Sequence, residues 1–158
     1  MSYAEPTAYS LSRFMESPAS APVVLSAPQS FVTPGQQCLV DRNALMLDAM
    51  NQAIREAEER GQLVPSSSIW KARRFLQLLP AEMPDTGSYV SEEESVCFDW
   101  DEDTLCQLTV MVQKSGRIAF AAYFAGDRLN GVATFSGMDI PAELSSAIAR
   151  WIRGGGAS

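Results

Sequence analysis

The sequence predicts an α+β domain in which an antiparallel β-meander of about four strands packs against two to three helices. Apolar residues recur with a helical period between residues 41 and 79, alternate with the strand period of two between residues 95 and 135, and return to the helical period after residue 141. These patterns divide the chain into a Pro-rich, extended or partly disordered arm over 1–36, a single domain over 37–153 and a flexible tail over 154–158.

The arm is predicted from its prolines. Five of the nine prolines lie in the first 34 residues, among Ser and Ala, with no helical or strand period. Apolar residues such as Val23, Val24, Leu25 and Phe31 distinguish it from a purely solvated linker. Two interpretations stay open: a tail that lies along the domain surface, or a segment that orders on a partner.

Two helices are predicted from their end signals. Asp41 suits the N-cap of a helix that runs to Arg60, and Gly61 supplies the left-handed residue that ends it. A second helix is predicted to begin in the Ser cluster at Ser66 and to stop at Pro80, because proline cannot continue a helix.

The predicted strands are short and joined by short turns, which makes neighbours antiparallel. They cover residues 95–100, 105–113, 117–124 and 131–135. If the first turn is a two-residue turn centred on Asp101 and Glu102, Cys97 and Cys106 face each other. They are then either neighbouring thiols or a redox-sensitive bridge. A closing helix follows Pro141, with an apolar stripe that consists of Leu144, Ala147, Ile148, Trp151 and Ile152.

Composition excludes several classes of function. The chain has no histidine, which removes Ser-His-Asp and Cys-His catalysis and histidine metal sites. Its formal charge of −7 argues against direct binding of nucleic acid. Three cysteines do not resemble a secreted disulfide framework, and no signal peptide or membrane span is apparent, so we expect a cytoplasmic protein. Neither a cofactor nor a metal site is predicted.

Four motifs resemble a family of small, largely uncharacterised bacterial proteins. They are the helix end Phe75-Leu76-Gln77-Leu78-Leu79-Pro80, the strand Phe98-Asp99-Trp100, the turn Lys114-Ser115-Gly116-Arg117-Ile118 and the helix start Asp139-Ile140-Pro141. The resemblance covers residues 65–152. It implies the same fold outline and an origin in bacterial or mobile-element genomes. Proteins of this kind are similar to antitoxins, immunity proteins and phage-encoded inhibitors.

Acidic residues are concentrated in one region. Residues 82–113 contain nine acids and neither Lys nor Arg. This pattern is typical of a solvated face, but it also suits a recognition surface, and catalysis or a metal site by carboxylates alone stays open. The residues expected to contact a basic protein partner are Asp99, Trp100, Asp101, Glu102 and Asp103, with Glu92, Glu93 and Glu94 adding long-range attraction.

The sequence therefore predicts a non-enzymatic, protein-binding inhibitor of bacterial or phage origin. Its target would be a nucleic-acid-processing host complex or a toxin, and an anti-CRISPR protein is the most specific version of this hypothesis. The alternative is a structural or oligomeric protein whose N-terminal arm docks on a neighbouring subunit.

Overall fold

The computed structural model describes residues 34–103 and 105–155, with side chains for 42–101 and 105–154. Three helices and five strands follow one another as α1 (Pro34–Glu59), α2 (Ser66–Leu78), β1 (Gly87–Val90), β2 (Val96–Asp103), β3 (Cys106–Val112), β4 (Arg117–Phe124), β5 (Asp127–Thr134) and α3 (Ala142–Gly155). The predicted α+β class is confirmed. Most of the predicted arm, including the apolar residues at 23–25 and 31, lies outside the described residues.

Helix α1 begins earlier than the sequence predicted. It starts at Pro34, so Asp41 lies inside the helix and is not its N-cap. A proline is tolerated in the first turn because its missing N–H is not needed there. The end was predicted correctly, since Gly61 has a φ of 81° and follows the last turn.

Helices α2 and α3 begin and end close to the predicted positions. Pro65 occupies the N-cap position of α2 without a side-chain capping bond, and the chain is extended again at Leu79. In both helices the apolar stripe is buried. These residues are Ala72, Phe75 and Leu76 in α2, and Leu144, Ala147, Ile148 and Trp151 in α3. They belong to the same core cluster as Met46, Met50, Ile54 and Ala57 of α1.

The five strands form one antiparallel sheet in the order β1-β2-β3-β4-β5. The sequence predicted about four strands, because β1 has only four residues and only Val90 in it is buried. The loop expected over 126–130 is instead a tight turn. Ala125 and Gly126 both have positive φ, 48° and 105°, as a two-residue hairpin turn requires, so β5 already begins at Asp127.

The turn between β2 and β3 is not where the sequence placed it. Strand β2 continues through Asp103, with a register shift between Asp101 and Asp103. Cys97 therefore lies opposite Met111, and Cys106 lies opposite Asp103, so the two cysteines are not cross-strand neighbours. Packing sets this register, because Val96, Phe98 and Trp100 must face the core opposite Val112, Val110 and Leu108.

All three helices contribute to one core against one face of the sheet, whose inward residues include Phe98, Val110, Ile118 and Phe120. Successive strand residues point to opposite faces. The residues between them, such as Met111, Ala119 and Ala121, therefore lie on the other face. Among the described residues no helix covers that outer face.

Candidate acidic cleft

A cleft of about 470 Å³ opens at the end of the sheet where β1 begins. Its lining residues, which together are called the acidic cleft below, are Pro84, Asp85, Gly87, Asp99, Trp100, Asp101 and Trp151. They come from the loop before β1, from β2 and from α3. Three of the eight residues that the sequence predicted for partner binding, Asp99, Trp100 and Asp101, are among them.

The cleft exists because β2 is longer than β1. Gly87, the first residue of β1, pairs with Asp99, so no strand lies beside Trp100 and Asp101 on that side. The loop before β1 is held against β2 by two hydrogen bonds. Trp100 Nε1–H donates to the Pro84 carbonyl oxygen at 3.1 Å, and Thr86 Oγ1–H donates to the Asp99 carbonyl oxygen at 2.8 Å.

Trp100, which the sequence placed among the residues that contact a partner, forms a wall of the cleft and is almost fully buried. Its exposed fraction is only 2%, and its ring lies 6.4 Å from both Phe75 and Phe98, centroid to centroid. The alternation of β2 explains this position, since Trp100 shares the inward face with Val96 and Phe98. An interaction through Trp100 is therefore limited to the part of the indole that borders the cleft.

The charge that lines the cleft is negative only. Asp85 and Asp101 are exposed and Asp99 is partly buried, whereas no Lys or Arg lines the cleft. Gln107 Nε2–H donates to Asp101 Oδ1 at a long 3.4 Å, which leaves most of that carboxylate's hydrogen-bonding capacity unused. The cleft thus presents three carboxylates without a compensating cation.

Two polar atoms of the cleft residues are buried without a hydrogen-bond partner. They are Oδ1 of Asp99, an acceptor, and Nε1 of Trp151, a donor whose residue is 4% exposed. A buried polar atom without a partner costs on the order of 1–3 kcal/mol. Neither atom is accessible to solvent, so a ligand in the cleft would reach them only after the side chains of Asp99 and Trp151 moved.

Asp99 also takes part in a cluster on the outer face of the sheet. Tyr89 and Cys97 are cross-strand partners, and the Tyr89 phenol interacts with both Cys97 and Asp99. Partial burial of the phenol, together with its interactions with Cys97 and Asp99, raises the pKa of Tyr89 to about 12, although the residue as a whole is 44% exposed. Burial also raises the pKa of the Cys97 thiol. Both groups therefore stay protonated near neutral pH, so Cys97 is a poor nucleophile there.

The predicted residues Glu92, Glu93 and Glu94 do not belong to the cleft. They lie in the β1–β2 turn, at the opposite end of β2 from Asp101. Glu94 accepts hydrogen bonds from Lys114 Nζ at 2.5 Å and from the Leu63 backbone N–H at 3.2 Å, and these bonds lower the pKa of its carboxyl. Glu94 is thus engaged within the domain, whereas Glu92 and Glu93 are exposed.

The side chains of Glu102 and Asp103 lie outside the described residues, although the backbone of both continues β2.

Two cleft residues were not among those predicted to bind a partner. Asp85 had a signal, because it belongs to the same acidic region of the sequence. For Trp151 the sequence offers no such indication beyond its place in the apolar stripe of α3, because only the packing of that helix brings it beside β2.

The part of the chain that the structure describes contains no group of three Cys, Asp or Glu residues placed to hold a metal ion. None of the described helices has the length and apolar character needed to cross a membrane.

Comparisons with protein-family models, with curated proteins and with solved structures found no match to this chain. The family resemblance drawn from the sequence motifs therefore stays a prediction.

Proposed function

We propose that this chain is a non-enzymatic inhibitor that binds a basic segment of a larger protein in the acidic cleft. The observation that carries the proposal is the lining of the cleft, where three carboxylates gather and no Lys or Arg is present. Carboxylates form their strongest hydrogen bonds with Arg and Lys, and guanidinium groups are planar donors suited to a cleft with aromatic walls.

If the two buried atoms become accessible when the cleft is occupied, their hydrogen-bonding needs suit a peptide better than a small cation. A bound Arg side chain would donate to Asp99, and a backbone carbonyl of the same segment would accept from the Trp151 indole N–H. A simple ammonium ion or a metal ion supplies no acceptor for the indole. Exposed Asp85 and Asp101 at the entrance would add attraction that salt screens, over a Debye length of about 8 Å at physiological ionic strength.

The target we propose is a nucleic-acid-processing protein or complex of a bacterial cell, or a toxin of that kind. Such proteins carry basic grooves that hold phosphate backbones, and a rigid acidic surface competes for the same groove. The net charge of −7 supports this target because it adds long-range attraction to a basic surface. An anti-CRISPR inhibitor, encoded by a phage or mobile element and acting in the host cytoplasm, is the most specific form of this proposal.

A charge-reversal pair tests the proposal. Tagged wild-type protein, Asp85→Lys/Asp101→Lys and the control Glu92→Lys/Glu93→Lys would be used to capture proteins from a bacterial lysate at low and high salt. All four substituted acids are exposed, and both double variants change the net charge equally. We expect wild type and the control to capture a nucleic-acid-binding protein in stoichiometric amount at low salt and to release it at high salt. The cleft variant should not capture this protein.

The result would contradict the proposal if both double variants retained the same bound proteins, because the cleft would then not determine binding. Equal loss with both variants would also contradict it, since this would show that net charge alone governs capture. Circular dichroism of the three proteins checks that the fold is retained.

A further inference from the structure

The outer face of the sheet carries a continuous apolar row. Cross-strand pairing places Tyr89, Cys97, Met111, Ala119 and Val132 in one line across all five strands. Tyr89 and Val132, at the two ends of the line, have exposed fractions of 44% and 48%. Cys97 is fully buried, so the accessible apolar surface of the row consists of Tyr89, Met111, Ala119 and Val132, and an aligned surface of this kind is typical of an interaction site.

The next two rows are smaller and more polar. One row contains Gly87, Asp99, Thr109, Ala121 and Asn130 in strand order, and the other contains Asp101, Gln107, Tyr123 and Arg128. Grooves of about 380 and 410 Å³ run over the small residues of β3, β4 and β5. The face therefore has raised side chains at Met111, Val132 and Tyr123, and a floor of Ala119, Thr109 and Ala121 between them.

The charges of this face lie on opposite sides. Asp99 and Asp101 are on β2, whereas Arg128 is on β5, in the same row as Asp101. Consider two copies stacked face to face, related by a two-fold axis that lies between the sheets and runs parallel to the strands. This axis places β1 of one copy over β5 of the other and β2 over β4, and it leaves each row at the same position along the strands. It would place the acidic side of one copy over the basic side of the other, with Asp101 near Arg128.

We propose that this face binds a second copy of the chain, sheet against sheet, about such a two-fold axis. The same rotation places Tyr89 over Val132, the position of buried Cys97 over Ala119, and Met111 and Thr109 each over their own counterparts, so apolar residues face one another along the row that contains Tyr89. Sheets that pack face to face in this way lie about 10 Å apart with nearly aligned strands.

The available area is sufficient for a stable dimer. Four strands of seven or eight residues and one of four, spaced by about 4.8 Å with about 3.4 Å per residue, present roughly 570 Å² per copy. A dimer would bury roughly 1,100 Å² in total, which exceeds the about 1,000 Å² expected of a specific interface. An apolar centre with a charged rim is also the usual composition of such interfaces.

Analytical ultracentrifugation of the full chain tests the proposal. Wild type should sediment with twice the monomer mass of 17.2 kDa as the concentration rises. Ala121→Arg places a long charged side chain on the exposed floor of the face and should give a monomer. Ser145→Arg, an equal change at an exposed position of α3, should remain dimeric.

A charge exchange tests the orientation. Arg128→Asp should raise the dimer dissociation constant about 30-fold, the effect of losing two symmetry-related rim ion pairs of about 1 kcal/mol each, and adding Asp101→Arg should restore it. Wild type that stays monomeric at every concentration overturns the proposal. So does an Ala121→Arg protein that dimerises as tightly as Ser145→Arg, because the contact would then lie elsewhere, for example in residues 1–33.

Discussion

A new cysteine opposite Cys97 tests the register of the sheet, which is the main point where the structure departs from the sequence-based expectation. Met111 is the cross-strand partner of Cys97, and directly opposite residues in an antiparallel pair have Cα atoms about 4.5–5.5 Å apart. This distance is within the range that a disulfide bridges. Met111→Cys should therefore form an intramolecular bridge with Cys97 on oxidation.

The bridge should stabilise the protein measurably. It closes a loop of about 15 residues, for which chain entropy gives about 3 kcal/mol at 25 °C, less any strain. In a domain of this size that corresponds to a rise in Tm of roughly 10 °C. The comparison is between the oxidised and reduced forms of the same variant, so the packing lost with the Met111 side chain cancels. Oxidation should be carried out at alkaline pH, because burial raises the pKa of the Cys97 thiol.

Thr109→Cys is the matched control. Thr109 pairs with Asp99, so its Cα is a diagonal neighbour of Cys97 at about 7–8 Å, too far for an unstrained bridge. Peptide mapping by mass spectrometry identifies the bridges. A Cys97–Cys106 bridge within the oxidised wild-type monomer would refute the register, because about 20 Å of strand separates Cys97 from Asp103, the partner of Cys106. Equal bridging of the two variants to Cys97 would refute it as well.

Two further predictions concern the core and the titration of Tyr89. Phe75 is fully buried, and its ring centroid lies within 6.4 Å of those of Phe98, Trp100 and Phe135, so Phe75→Ala should lower the free energy of unfolding by about 3–5 kcal/mol in urea denaturation. Gln77→Ala, at an exposed position of the same helix, should change it by less than about 0.5 kcal/mol, and equal effects would contradict the assigned core. The folded state holds the Tyr89 proton more tightly than the unfolded state, so its contribution to stability should be complete below pH 10 and lost as the pH rises through about 12. The phenolate absorbance that Tyr89→Phe removes should have its midpoint near pH 12, and a midpoint near 10 would contradict the assigned surroundings.

The elements that the sequence predicted well are those with signals at both ends. Helix α2 lies between Pro65 and Pro80, and the end of α1 is marked by Gly61, so local chemistry determines these boundaries. The start of α1 was missed because Pro34 belongs to a Pro-rich stretch that suggests an extended arm. Strand β1 was missed because four residues with one buried side chain give no detectable alternation.

The acidic cleft was predictable in composition but not in shape. The density of acids between residues 82 and 113 identified Asp99 and Asp101, and the alternation of Val96, Phe98 and Trp100 contained the information that Trp100 faces the core. The separation of Glu94 from the cleft depends on the true length of β1 and β2. The contribution of Trp151 depends on tertiary packing between segments about 50 residues apart, which no local pattern encodes.

Asp101 belongs both to the acidic cleft and to the acidic side of the proposed dimer, so the two proposed interactions should oppose each other. In the dimer its carboxylate would pair with Arg128 of the second copy and would attract a basic segment less strongly. Linkage then requires that the basic segment, in turn, favours the monomer. An exposed ion pair is worth at most about 1 kcal/mol, so the dissociation constant of a basic segment should be at most about fivefold higher for the dimer.

Isothermal titration of an Arg-rich peptide into wild type should show affinity that falls as the protein concentration passes through the dimerisation range. The affinity of Ala121→Arg should be independent of concentration and equal to the limit for dilute wild type. Affinity that is the same for both proteins at all concentrations would show that Asp101 serves only one of the two surfaces.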